Sequence, residues 1–441
     1  MLAVVVALAA TACGGDDDDS SANTSGATAA TTATTTAVTA GTDSAAITEA
    51  PDATDGADTT ETDGSVAAPT GDAIKIGLAN NEGAAINLPE YRYGAEAAVQ
   101  YINEQLGGVN GAPLEIVECL NDASPEGSVN CANQFVDEGA VVYFAGIDIG
   151  SDAALPILQE AGVPYVTTEP WGQEQKNAEN SFVFGPPQGA YAVAPLKALK
   201  DAGATKIGAI FLDEPVGRGV VEGVAQPLAD ELGMELETVF VDPANPDFAA
   251  AAATMISRDV DGLWSILPED ACTGAVQAAR AAGFEGPYAV GSCSLYVDEL
   301  GDAALNTLAV SSTWYPSFRE TAPDDIVEDI DLYTEAMTAA GHEDSLNSFA
   351  TASFATMMEL YDVMKGIDGE VSAETLQTAL RGASNSPGFL RDELKCGTKL
   401  WPSESSVCRA TLLILEVVEE PDGPVRQPVN PEMTDLSEFA L

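Results

Sequence analysis

The chain has 441 residues, with 17 Lys and Arg against 70 Asp and Glu, a formal charge of -53, and 46% hydrophobic residues. So large an acidic excess excludes nucleic acid as a partner, because binding a phosphate backbone needs clustered basic side chains. The stretch after residue 73 is too long for one ordinary core and suits two domains.

Met1–Ala12 is a short apolar run, MLAVVVALAATA, that ends in small residues just before Cys13. This is the pattern of a lipoprotein signal: residues 1–12 read as the signal peptide and Cys13 as the lipidated residue. An ordinary secretory signal with an incidental cysteine is the alternative. About a dozen apolar residues are too few to cross a ~30 Å hydrocarbon core. The expected location is therefore extracytoplasmic, with a lipid anchor holding the chain to the cell membrane. Residues 13–72 follow as a tether of Asp, Thr, Ala, Ser and Gly that lacks Lys and Arg after Cys13. Such a composition buries too little apolar surface to offset its ordering entropy.

From residue 73 onward, short apolar runs alternate with helical periodicity. The pattern predicts strands at Ile74–Leu78, Leu114–Cys119, Val141–Ala145, Pro164–Val166 and Phe182–Phe184. Helices are expected near Tyr91–Leu106, Ser128–Asp137 and Ala153–Ala161. The rhythm then restarts, with strands at Lys206–Phe211, Leu236–Val241, Gly262–Leu267 and Tyr288–Val290. Its helices are Ala190–Ala202, Gly219–Leu232, Phe248–Ser257 and Ala271–Ala282. Apolar strands separated by helices imply parallel sheets covered on both faces, and the repetition implies two α/β lobes. The helix Ser348–Lys365 carries a stripe of Phe349, Phe354, Met357, Met358, Tyr361 and Met364, which reads as core.

Seven cysteines become six once Cys13 takes lipid. Six allow fifteen pairings, and their clustering favours Cys119 with Cys131, Cys272 with Cys293, and Cys396 with Cys408. No Cys-x-x-Cys occurs and the only histidine is His342, so no metal site is expected. The same lone histidine, in a polar loop, offers no base for a nucleophilic triad, and the chain is not expected to be an enzyme. Gly217-Arg218-Gly219 with Gly223 imitates a dinucleotide fingerprint, but its spacing is wrong. It reads as a loop in the cleft wall of the second lobe, and no cofactor is expected.

Open parallel sheets bind ligands beyond the carboxyl ends of their strands, so the loops there are the places to look. Ile74-Lys75-Ile76-Gly77 is followed by Tyr93-Gly94-Ala95-Glu96-Ala97-Ala98, then Tyr101-Ile102-Asn103. Gly107-Gly108-Val109-Asn110-Gly111 and the strand Leu114-Glu115-Ile116-Val117-Glu118 come next. Further on stand Gln159-Glu160-Ala161-Gly162-Val163-Pro164 and Lys206-Ile207-Gly208-Ala209-Ile210. In order and spacing, about residues 74–418 resemble the Leu/Ile/Val-type periplasmic binding proteins that deliver solutes to ABC importers.

The resemblance implies a type I fold: two doubly wound parallel-sheet lobes joined by a three-segment hinge, with the solute held between them. Residues 73–187 plus 316–394 would form lobe 1, residues 188–315 plus 395–420 lobe 2, and residues 421–441 a C-terminal tail. The crossovers would lie near Phe184–Gly189, Ser311–Pro316 and Lys395–Arg409. The implied partners are a small-molecule solute and ABC permease subunits, and the implied state is a monomer. A sensor without transport, or an extracytoplasmic enzyme, are the alternatives.

The candidate ligand residues are Asn80, Asn87, Asp148, Ser151, Glu169 and Trp171 on the first lobe, with Val216, Leu267, Ser292 and Tyr315 on or beside the second. Relatives that take branched-chain amino acids hold the carboxylate with small hydroxyl and backbone groups in the first lobe. Here Asp148 and Glu169 would repel a carboxylate. The second-lobe stretch Val290-Gly291-Ser292-Cys293-Ser294 also lacks the acid that those relatives turn toward the ammonium. A neutral, amide-like, aromatic or cationic solute suits these residues better.

Overall fold

The computed structural model describes residues 68–440 apart from residues 85, 292, 294 and 295, with the side chains of 269 and 270 also outside it. The expected signal peptide, Cys13, most of the tether and Ser292 lie outside the described residues. The fold begins slightly before the expected tether ends, since the N–H groups of Thr70 and Gly71 each donate to Gly111 O at 3.0 Å.

β1 (Ile74–Asn81) is an interior strand of the first sheet, with nearly every residue buried, as a strand covered on both faces must be. α1 (Pro89–Gln105), β2 (Leu114–Asn121), α2 (Pro125–Glu138), β3 (Val142–Ala145), α3 (Leu155–Ala161), β4 (Tyr165–Thr167) and β5 (Ser181–Val183) follow. The sheet runs β2-β1-β3-β4-β5, every pair parallel. Ser124 starts α2 by accepting from Gly127 N at 3.0 Å, and Gly139 ends it in the left-handed region at φ 74.

The chain then passes to the second sheet. It continues through α4 (Ala190–Asp201), β6 (Lys206–Leu212), α5 (Pro215–Val220) and α6 (Gln226–Leu232). β7 (Glu235–Val241), α7 (Phe248–Ser257), β8 (Gly262–Trp264), α8 (Glu269–Ala281), β9 (Tyr288–Ala289), α9 (Tyr296–Leu300) and β10 (Thr307–Ser311) complete the run. The helix expected from Gly219 begins earlier, at Pro215, and includes a π-turn over Val221–Ala225. Proline suits a first helical turn because its φ is already set, so Gly217 and Gly219 fall inside α5 and not in a loop ahead of it.

A second passage leads back to α10 (Asp324–Ala339), α11 (Ala350–Lys365) and α12 (Ala373–Gly382), with α10 and α11 packed on α1. Phe354, Met357, Leu360 and Met364 of α11 are fully buried, each contributing roughly 1.5–3 kcal/mol. Phe349 departs from the expected core stripe: it lies just before the helix, 48% exposed.

A third passage returns the chain to the second sheet as β11 (Thr411–Glu420), antiparallel to β10. β12 (Gly423–Pro428) and β13 (Thr434–Asp435) pair antiparallel with β11, so the segment expected as a C-terminal tail is sheet. Proline at both 424 and 428 hid β12 from the sequence pattern; on an edge strand a missing N–H is tolerated. The second sheet is thus parallel from β6 to β10 and antiparallel beyond. All three local disulfides form, Cys119–Cys131, Cys272–Cys293 and Cys396–Cys408, the last within the third passage.

Candidate ligand-binding site

Glu169 is set by the end of the first sheet. Beyond β4 the backbone keeps pairing with the end of β3, Thr168 N donating to Ala145 O at 3.1 Å and Glu169 N to Gly146 O at 2.9 Å. Thr168 Oγ1 donates to Thr356 Oγ1 of α11 at 2.9 Å, which pins the loop to the helix layer. Two glycines make room here. A Cβ at Gly146 would collide with the Tyr91 ring, and one at Gly185, in the first passage, with Thr168 O.

The Glu169 carboxylate receives its donors from the other side of the molecule. Tyr191 OH, in the first turn of α4, lies 3.0 Å from both oxygens, and Ser312 Oγ, just after β10, donates to Oε1 at 3.2 Å. A side chain from the first lobe is therefore held by the second. Glu169 keeps some contact with solvent but is surrounded by protein, and that desolvation raises its carboxyl to about 7 against the pull of Tyr191 and Ser312. The Tyr191 and Tyr91 phenols are pushed well up, first by burial and then by the charge of Glu169. Tyr315 is raised by burial too, with Glu169 a smaller contributor. Tyr91 stacks on Phe349 with centroids 5.0 Å apart, and Trp171, two residues past Glu169, is 52% exposed.

The other expected residues divide. Asp148 is fully buried and accepts from Tyr143 OH at 2.5 Å, Ser128 Oγ at 2.7 Å and Gly150 N at 3.3 Å. That spends the carboxylate on the protein itself. Ser151 turns inward as well, donating to Asp148 O at 2.9 Å. Asn80 is buried at the end of β1, with Nδ2 donating to Glu82 Oε1 and Leu88 O, both at 2.8 Å. Its Oδ1 has no donor. Asn87 is exposed and bridged to Glu82. Val216, at the start of α5, is 76% exposed, and Leu267 is buried beyond β8. Of the expected residues, Tyr315 stands within reach of the Glu169 charge, and Trp171 lies two residues past Glu169. Tyr191, Ser312 and Tyr91 are added by the structure. A cavity of about 780 Å³ opens elsewhere, at the hinge, lined by Trp314, Asp329, Arg391, Arg409 and Met433 among others.

Among the described residues no group of His, Cys, Asp and Glu is arranged to hold a metal ion. No described helix is long and apolar enough to cross a membrane.

Two α/β lobes, three connecting passages and polar side chains that meet from both lobes at the strand ends define a two-lobed solute-binding protein. The chain belongs to the periplasmic binding protein family, whose profile matches residues 73–396. Among solved structures it is similar to a possible leucine/isoleucine/valine-binding protein from Rhodopirellula baltica. Their TM-score is 0.63 at 15% identity, covering 84% of this chain and 98% of that one. An ABC transporter substrate-binding protein from Desulfitobacterium hafniense, in complex with Leu, gives 0.64 at 19% over 80% and 100% of the two chains. A fatty acid ABC transporter substrate-binding protein from Thermomonospora curvata gives 0.65 at 16% over 86% and 97%. At such identities the likeness is one of fold. No curated protein matches the chain in sequence.

Proposed function

We propose that this chain is the extracytoplasmic solute-binding subunit of an ABC importer, anchored by lipid at Cys13. It captures a small polar organic solute between its lobes and hands it to permease subunits. The observation that carries the reading is the Tyr191–Glu169–Ser312 contact, in which a carboxylate at the strand ends of one lobe meets hydroxyls of the other. Groups that converge this way close around a ligand when the lobes rotate on their connecting segments, and a solute that touches both lobes favours the closed state. The solute-binding relatives, one an ABC substrate-binding protein in complex with Leu and one a fatty acid ABC transporter protein, support transport as the use of this fold.

The experiment is a thermal-shift screen of the purified chain against amino acids, amides, ureas, polyamines and aromatic acids. A true ligand at 100 times its Kd adds about 2.7 kcal/mol to stability. Cells lacking the gene should then fail to accumulate that solute. Binding with undiminished uptake would argue against import.

A further inference from the structure

We propose that the solute presents a positively charged, hydrogen-bond-donating nitrogen to Glu169, so that the cleft takes organic amines or cations and turns away solutes led by a carboxylate. This rests on reading the space between the lobes as the solute site.

The Glu169 charge is unpaired. Its named donors, Tyr191 OH and Ser312 Oγ, are neutral, and among the described residues no Lys or Arg lies within ion-pair distance of it. Arg391, the cation whose field reaches it, is committed to Glu359 at 2.6 Å. A partly enclosed carboxylate with neutral donors only is a strong acceptor waiting for a cation.

A second acceptor stands nearby. Asn80 Oδ1 is buried without a donor at the end of β1. β3 separates β1 from β4, so the two strand ends are about 10 Å apart. Both amide hydrogens of Asn80 are directed to Glu82 and Leu88 O, which leaves acceptor chemistry at this edge of the lobe. Aromatic rings lie in the same region: Tyr91, stacked on Phe349, and Tyr315 both feel the Glu169 charge, and Trp171, two residues along the chain, is 52% exposed. Ring faces attract cations and do nothing for carboxylates.

The groups that set the charge at Glu169 come from each neighbouring element. α1 brings Tyr91, with Glu90 beyond it. α4 brings Tyr191, the second passage Ser312 and Tyr315, and the segment after α12 brings Arg391. Because burial holds the carboxyl near pH 7, a cation binds the ionised form and displaces a proton.

The test is calorimetric titration of the purified full chain with tyramine, agmatine and putrescine, set against 4-hydroxyphenylacetate, 4-methylpentanoate and neutral amides. A cation should bind, with affinity rising about tenfold between pH 6 and pH 8 and with proton release. Glu169→Gln should weaken it roughly 10- to 100-fold and remove the pH dependence. Tyr191→Phe, which keeps the charge, should preserve that dependence. A carboxylate or neutral solute that binds equally well to the parent and to Glu169→Gln would overturn the cation assignment and leave the solute-binding reading intact. A cation bound without pH dependence would also overturn it. Absence of binding by any class, in folded protein, would count against the solute-binding reading itself.

Discussion

Arg409 Nη2 lies 2.7 Å from Glu359 Oε1, and both side chains are at most 1% exposed. The same carboxylate takes Arg391 Nη2 at 2.6 Å, while Arg409 Nη1 donates to Phe184 O in the first passage at 2.5 Å. One glutamate in α11 therefore compensates two guanidinium groups, and one of these ties the first and third passages together. Removing one partner from a buried charged cluster leaves charges with nothing to offset their desolvation. Glu359→Gln should cost about 3–5 kcal/mol, read as a lower urea midpoint at unchanged m. A loss below about 1 kcal/mol would show that the arginines find other acceptors.

Glu169 makes stability depend on pH. Its folded pKa, about 7, stands above the unfolded value of 4.5, so the native state keeps the proton longer. Stability from this group is fully present below about pH 4.5 and is lost as pH rises through 7, by at most about 3 kcal/mol. Chemical denaturation of ligand-free protein at pH 4.5, 6 and 8 should show this loss against Glu169→Gln, in which the contribution is gone. Identical pH profiles for the two proteins would refute it.

The Cys396–Cys408 bridge closes a loop with a sequence separation of 12 inside the third passage. By loop-closure entropy a bridge of this size is worth about 3 kcal/mol. Replacing both cysteines with serine should lower Tm by several degrees. It should also raise the hydrogen-exchange rate of residues 396–410 more than that of β1. Uniform exchange across the molecule would place the effect elsewhere.

Four tryptophans report separately on the molecule: Trp264, Trp314 and Trp401 are at most 2% exposed, whereas Trp171 is 52% exposed. Acrylamide should quench a single accessible component, which Trp171→Phe removes. Saturating solute should protect that component if the lobes close over it. Quenching that solute leaves unchanged would put Trp171 outside the closing surface.

Much of the fold was legible because apolar runs such as VYFA in β3 can be satisfied only inside a covered sheet. Position relative to strand ends pointed to Glu169 and Trp171, and the place beside the second passage pointed to Tyr315. The same rule could not tell Glu169 from Asp148, since both are acids after a strand. Which way Asp148 turns depends on Tyr143 of β3 and on Ser128, which a separate helix, α2, brings to it. Tyr191 was missed because a tyrosine among the alanines of α4 looks like packing. Its place directly after the first passage, in Gly189-Ala190-Tyr191, was the available clue. The two prolines that masked β12 show the limit of propensity at a sheet edge, where pairing partners decide.

β11 has β10 along one margin and β12 along the other, with Leu412, Leu413 and Leu415 buried between them. A chain cut after residue 420 would keep both lobes and the Glu169 cluster, yet it would uncover a ten-residue, leucine-rich ribbon with free amides and carbonyls. Such ribbons recruit their own kind. The residues beyond 420 serve as a selvedge, keeping the second sheet from knitting itself to its neighbours in a concentrated sample.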